Sequence, residues 1–299
     1  MGTTHFRANR RQGLFVEIID THLHVSPDTA NGCDRVHDDL TMHSHQSGYM
    51  EPCVDVESCI ALMSRENVSR GVLVQPNHLA YDHRYLSEAV RSHPETFSGI
   101  GCVNPVAQEA PRQLEALVLE ARLSGVRLRP YMYRSYGLAD ARSFPLWAKS
   151  GELGTVICIY MAWTQAAGLE RMLRQFPEVP VVIDHCGMPD LSPEKREMSV
   201  GAILRLSEYP NVYIKVSGPA IATRTDNAED CASAFIAQLM GAFQASRLMW
   251  GSDYPNSAGN ENYAEALNRF VAEDGDLGLT DAQRQWFLGG TARAVWGFA

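Results

Sequence analysis

The chain has 299 residues, 45% of them hydrophobic and 20% charged, and its formal net charge is −9. That length suits one large α/β barrel or two ordinary domains, and it can bury a core without metal or disulfide staples. The acidic balance argues against a general nucleic-acid or membrane-surface binder, because no basic field would hold a polyanion.

Residues 1–14, MGTTHFRANRRQGL, are basic and hold no apolar core for export; they read as a flexible segment ahead of a single domain over 15–299. No stretch approaches the ~20 apolar residues that span a bilayer. The cysteines at 33, 53, 59, 102, 158, 186 and 231 form no CxxC pair. A reduced, cytoplasmic protein is therefore expected, with a small-molecule partner, no nucleic acid or membrane, and homo-oligomerisation left open.

Eight short apolar runs follow in order: FVEIIDTHLHV, GVLVQP, FSGIGCV, GVRLRP, TVICIYM, VPVVIDH, NVYIKVS and RLMWGSD. Continuous apolar runs suit strands covered on both faces. Between them lie patterns with apolar residues at three-to-four spacing, among them VESCIALMSREN, YLSEAVRSH, PRQLEALVLEARLSG, LERMLRQF and AFIAQLMGAF. Alternation of the two predicts a (β/α)8 barrel, with a doubly wound sheet as runner-up that lacks its GxGxxG. Two longer stretches, near 26–54 and 186–200, leave the C-terminal ends of strands and read as lid loops.

The strand ends carry the chemistry-bearing residues. Asp20, His22 and His24 alternate at the end of the first strand, predicting one shared face. Paired imidazoles are costly as packing, so His22 and His24 read as functional, whereas His43 and His45 sit in the long loop. Arg127 and Arg129 alternate on strand four, and Arg134 follows; buried arginine needs a carboxylate or a developing oxyanion. Tyr160 ends strand five, His185 strand six and Asp253 strand eight. Cys186, next to His185, reads as structural, because neighbours on a strand point apart. Glu51, Asn77 and His78 lie near loops over the mouth.

The motifs HLH, DHCG, KVSG and GSDYP, with GVLVQPNHLAYDHRYLSEAV and the C-terminal GGTARAVWGF, resemble the amidohydrolase superfamily from about residue 16 to the end. More narrowly they resemble its amidohydrolase-2 family and the lactonase branch, which includes 2-pyrone-4,6-dicarboxylate lactonase and L-fuconolactonase. The resemblance implies a TIM barrel of the metal-dependent-hydrolase type. It matches His22, His24, Arg127, Tyr160, His185 and Asp253 to site positions. Arg127 and Tyr160 stand where two-metal members carry lysine and histidine, so the resemblance implies one divalent ion (zinc or manganese) or none. Its ligands would be His22, His24 and Asp253, with His185 close by. Met188 and the run PAIA (219–222) replace two arginines of the pyrone-dicarboxylate pattern, implying a lactone with one acid group or none. The expected reaction is opening of a small sugar-acid or muconate-type lactone by water. Asp253 would be general base, His22, His24 and His185 would polarise the carbonyl, and Arg127, Tyr160, Arg129, Arg134 and His78 would face substrate. The alternative is a metal-dependent decarboxylase of an aromatic or unsaturated acid; an amide or ester hydrolase and a non-catalytic binder are further options.

Overall fold

All eight apolar runs form strands: β1 Ile19–Leu23, β2 Arg70–Val74, β3 Phe97–Cys102, β4 Gly125–Leu128, β5 Val156–Ile159, β6 Val181–Ile183, β7 Val212–Ser217 and β8 Leu248–Gly251. They pair in parallel in the order β1 to β8. The computed structural model describes residues 16–27, 52–130, 136–217, 228–256, 263–271 and 278–298. The sheet closes just beyond β8: Leu23 bridges Tyr254, His24 N–H donates to the Tyr254 carbonyl at 2.8 Å, and Asp253 N–H donates to the His22 carbonyl at 2.9 Å. The result is the expected (β/α)8 barrel.

One helix follows each strand: α1 Val56–Arg65, α2 Arg84–Ser92, α3 Ala110–Leu119, α4 Phe144–Leu153, α5 Ala166–Gln175, α6 Arg196–Leu204, α7 Ala228–Phe243 and α8 Tyr263–Val271. Local chemistry sets their ends. The Asp55 side chain accepts Ser58 N–H at the start of α1, and Gly154 ends α4 at φ 63°, where a side chain would be strained. At the C-terminus α9 (Asp281–Gln285) runs through a wider turn, Trp286–Gly290, into α10 (Thr291–Trp296). Of the two expected lid stretches, 26–54 lies mostly outside the described residues. In 186–200 the last five residues already belong to α6.

Strand alternation sorts the core into two layers. Leu73, Val126, Leu128, Ile157, Ile159, Ile214, Val216 and Trp250 meet the helices. Ile19, Val72, Ile100, Val156, Cys158, Val182 and Met249 fill the barrel, and α10 adds Ala292 and Trp296 to that inner layer. At ~25 cal/mol per Å² of apolar area, these layers are the main stabilising term and leave the strand ends free for polar residues. Cys53 is disulfide-bonded, unlike the wholly reduced set expected from sequence. Cys59, Cys102, Cys158 and Cys186 are free and buried. Among the described residues no helix is long and apolar enough to cross a membrane.

Candidate active site

The β1–β2 register slips between Asp20 and Leu23. This bulge breaks the strict alternation on which the shared face of Asp20, His22 and His24 rested. Ile19 packs inside the barrel and Leu23 packs toward the helices. His22 and His24 point into the mouth, with ring centroids 5.0 Å apart. Asp20 instead turns toward the helix layer, so its expected place beside the two histidines is corrected. There its charge adds to burial in raising the Tyr263 hydroxyl and in pushing the Cys59 thiol up to about 12. Its Oδ1 accepts His22 N–H at 3.0 Å and Ser252 N–H at 2.9 Å, tying the bulge to the end of β8. Burial lifts the Asp20 carboxyl to about 6 despite these bonds.

The seam is closely packed at Gly251. A Cβ at Gly251 would lie 3.0 Å from His22 Cβ and 3.1 Å from Thr21 Oγ1. Beyond it Asp253 takes φ 57°, and at the end of β6 His185 takes φ 52° with Cys186 at 54°. Left-handed backbone at a non-glycine residue costs on the order of 1–3 kcal/mol and persists where surrounding structure imposes it. Of these three, Asp253 and His185 are site residues the motifs singled out.

Asp253 Oδ1 faces His22 Nε2 at 3.6 Å and His24 Nε2 at 3.5 Å. His24 Nδ1 lies 2.8 Å from the Val74 carbonyl, which can only accept, so Nδ1 donates there and Nε2 is the nitrogen turned toward Asp253. Burial would raise the Asp253 carboxyl, but His185, His24 and His22 together hold it below the usual carboxylate range. His185 stacks 4.6 Å from His22 and sets Nδ1 2.6 Å from Ser217 Oγ. Burial lowers its pKa, against the pull of Asp253.

Opposite the seam, Arg127 Nε donates to Asp184 Oδ2 at 2.6 Å and the guanidinium lies 5.0 Å from the centre of the Tyr160 ring. Tyr160 meets His185 edge-on at 5.5 Å. Lys215 Nζ is 3.2 Å from Asp184 Oδ1, and His22 Nδ1 is 3.5 Å from the same oxygen. Burial alone would raise Asp184, but Lys215 and Arg127 hold it well below the usual range. His22 is lowered well below its ordinary value by burial and then by Lys215.

Arg129 stands apart from this group. Nη1 donates to Asn77 Oδ1, while Nη2 donates to the Gln75 carbonyl at 2.9 Å and contacts Cys102 Sγ at 2.8 Å. Its donors fasten β4 to β2 and β3. His78 is buried in the short turn after β2. Cys186 is buried, its thiol pushed up to about 12 by burial, and Sγ points to the Lys215 carbonyl, as a structural cysteine would. Arg134, Glu51, His43, His45 and PAIA lie outside the described residues.

Ligand atoms of His22, His24 and Asp253 all lie within 4.8 Å of one another. His22 Nε2 is buried with no hydrogen-bond partner. The 3.5 and 3.6 Å separations approach the ~3.4 Å expected between two ligands of one tetrahedral ion held at about 2.0–2.1 Å. The donor set therefore fits a divalent ion.

The amidohydrolase family model matches residues 19–298. The chain belongs to the amidohydrolase family. It is 26% identical to the 4-sulfomuconolactone hydrolase of Rhizobium radiobacter over 86% of this chain and 80% of the relative. It is 27% identical to the L-fucono-1,5-lactonase of Burkholderia ambifaria over 78% of each chain. A solved structure from Pseudomonas putida, described as a 2-pyrone-4,6-dicarboxylic acid hydrolase, is 27% identical and superposes with a TM-score of 0.76 over 95% of this chain and 99% of that one.

In this amidohydrolase, Asp184, Lys215 and Ser217 are the mouth residues that reading strand ends missed. Lys215 carried a signal: a lysine inside the apolar run NVYIKVS must find a buried acid. Asp184 carried less, since alternation pairs it against His185; the left-handed turn lets both reach the mouth.

Proposed function

We propose that this amidohydrolase is a lactonase, opening a small sugar-acid or muconate-type lactone by attack of water on the ring carbonyl. The observation that carries the reading is Asp253 Oδ1, an ionised carboxylate oxygen set 3.5–3.6 Å from two imidazole nitrogens. Water placed at this seam can pass its proton to Asp253, which returns it to the alkoxide leaving the carbonyl carbon. The lactone relatives support this chemistry over decarboxylation.

His22, His24 and Asp253 would hold a divalent ion, whose contribution when bound is Lewis-acid polarisation of the carbonyl. Arg127 spends only Nε on Asp184, so its remaining N–H groups are available to a substrate carboxylate or hydroxyl. Tyr160 is held between Arg127 and His185 and adds a hydroxyl to the same wall. The Ser217 contact fixes the orientation of the His185 ring. Arg129 acts one step back, holding the β2–β4 side in place.

The test is acid release, followed with a pH indicator, from a panel of sugar-acid, muconate-derived and pyrone lactones, using chelator-treated protein and then protein with added zinc or manganese. Turnover of at least one lactone is expected. Silence across the panel, with carbon dioxide released from an aromatic or unsaturated acid, would replace the lactonase reading with the decarboxylase.

A further inference from the structure

Lys215 lies on β7 inside the barrel with no exposed surface. Its Nζ sits 3.2 Å from Asp184 Oδ1, and on the other side it faces the Trp296 ring at 5.4 Å from the centroid. Asp184, equally buried, already binds Arg127 at 2.6 Å. The cluster thus sets two cations against one carboxylate, a net charge of one positive unit beneath the seam. Charge in such a place is poorly screened and acts strongly on its neighbours. The nearest seam residue is His22, whose Nδ1 faces Asp184 Oδ1 while Nε2 faces Asp253. Counted together, Arg127 and Lys215 balance Asp184 and Asp253, so these four groups carry no net charge before any ion enters.

We propose that Lys215 is a built-in cation of the site, which keeps a divalent ion at His22, His24 and Asp253 weakly held. The ammonium occupies the inner side of Asp184, the only carboxylate besides Asp253 within 4 Å of a His22 ring nitrogen among the described residues. An ion at the seam gives these four groups and the ion a net double positive charge, and Lys215 supplies one unit of it. The inference rests on the metal fit of the seam and not on the identity of the substrate.

The experiment titrates zinc alone, without lactone, into chelator-treated full-length protein against a chromophoric chelator. One ion per wild-type chain is expected. Lys215→Met should bind one ion at least ten-fold more tightly, and Lys215→Arg, which keeps the charge, should match wild type. If Lys215→Met does not fold, Lys215→Gln carries the same expectation, because its amide can still donate to Asp184. A wild-type affinity below detection supports the proposal when a neutral variant binds measurably. Equal or weaker binding by the neutral variants, or no binding by any, overturns it. A purely structural lysine would not tighten zinc binding when removed. With no lactone present, either result leaves the lactonase reading to its own test.

Discussion

At the β8–β1 seam Asp253 meets two histidine nitrogens at 3.5–3.6 Å, and its Oδ1 accepts from the Asn256 side-chain amide at 3.4 Å. Across the mouth Asp184 is closed on both sides, by Arg127 at 2.6 Å and Lys215 at 3.2 Å. Both carboxylates are buried and both are held below the usual carboxylate range, but for different reasons. Asp184 is saturated by permanent cations and serves the scaffold. Asp253 is set against groups that can share a proton or a metal ion, and it is left able to change partners. The contrast separates a carboxylate locked into ion pairs from one whose partners can exchange, as the proposed general base requires.

Replacing each carboxylate should expose that difference. Asp184→Leu leaves Arg127 and Lys215 without their anion, and breaking a buried pair in this way costs about 3–5 kcal/mol. Urea unfolding should show a midpoint lowered accordingly. Asp253→Asn leaves the Arg127–Asp184 and Lys215–Asp184 pairs in place, and its loss of stability should be the smaller of the two. Equal losses in the two variants would erase the distinction.

Asp20 sharpens the comparison from a third position, with no cation in salt-bridge range among the described residues. Its folded carboxyl titrates at about 6 against an ordinary 3.8, so the folded state keeps this proton longer than the unfolded one. Its contribution is fully present below about pH 4 and is lost as pH rises through about 6, a change of about 3 kcal/mol. Stability measured from pH 4 to 7 should carry that downward component, and Asp20→Asn should remove it. Asp184 and Asp253 have the opposite sign: their contributions are lost as pH falls below the usual carboxylate range. Accordingly kcat/KM should show no acid limb between pH 5 and 8 from Asp253.

The smallest expected effect is at Tyr160. Tyr160→Phe keeps the ring against Arg127 and His185 and removes only the hydroxyl. A single hydrogen bond to substrate is worth about 1 kcal/mol, so KM should rise less than ten-fold with kcat nearly unchanged.

The eight strands were legible because apolar runs closed by Gly, Pro, Asn or Asp have few other uses, and His22, His24, His185 and Asp253 were legible because they end those runs. What alternation hid was every departure from alternation. The β1 bulge turned Asp20 away from His22, and the left-handed turn at His185 brought Asp184 and His185 to the same mouth. Arg129 finds its partners on β2, β3 and the turn after β2, contacts that no local pattern encodes. Five helices, α4, α6, α8, α9 and α10, were not singled out in advance. For α6, a boundary placed inside the expected loop obscured the start.

The most direct test of the central claim is the rate of acid release from the best lactone of the panel by wild type and by Asp253→Asn, at pH 7 and equal metal content. General-base loss predicts a fall in kcat of about 10²–10⁴-fold with the fold intact. Turnover undiminished in Asp253→Asn would contradict the account, because the open carboxylate of the seam would then have no part in the chemistry.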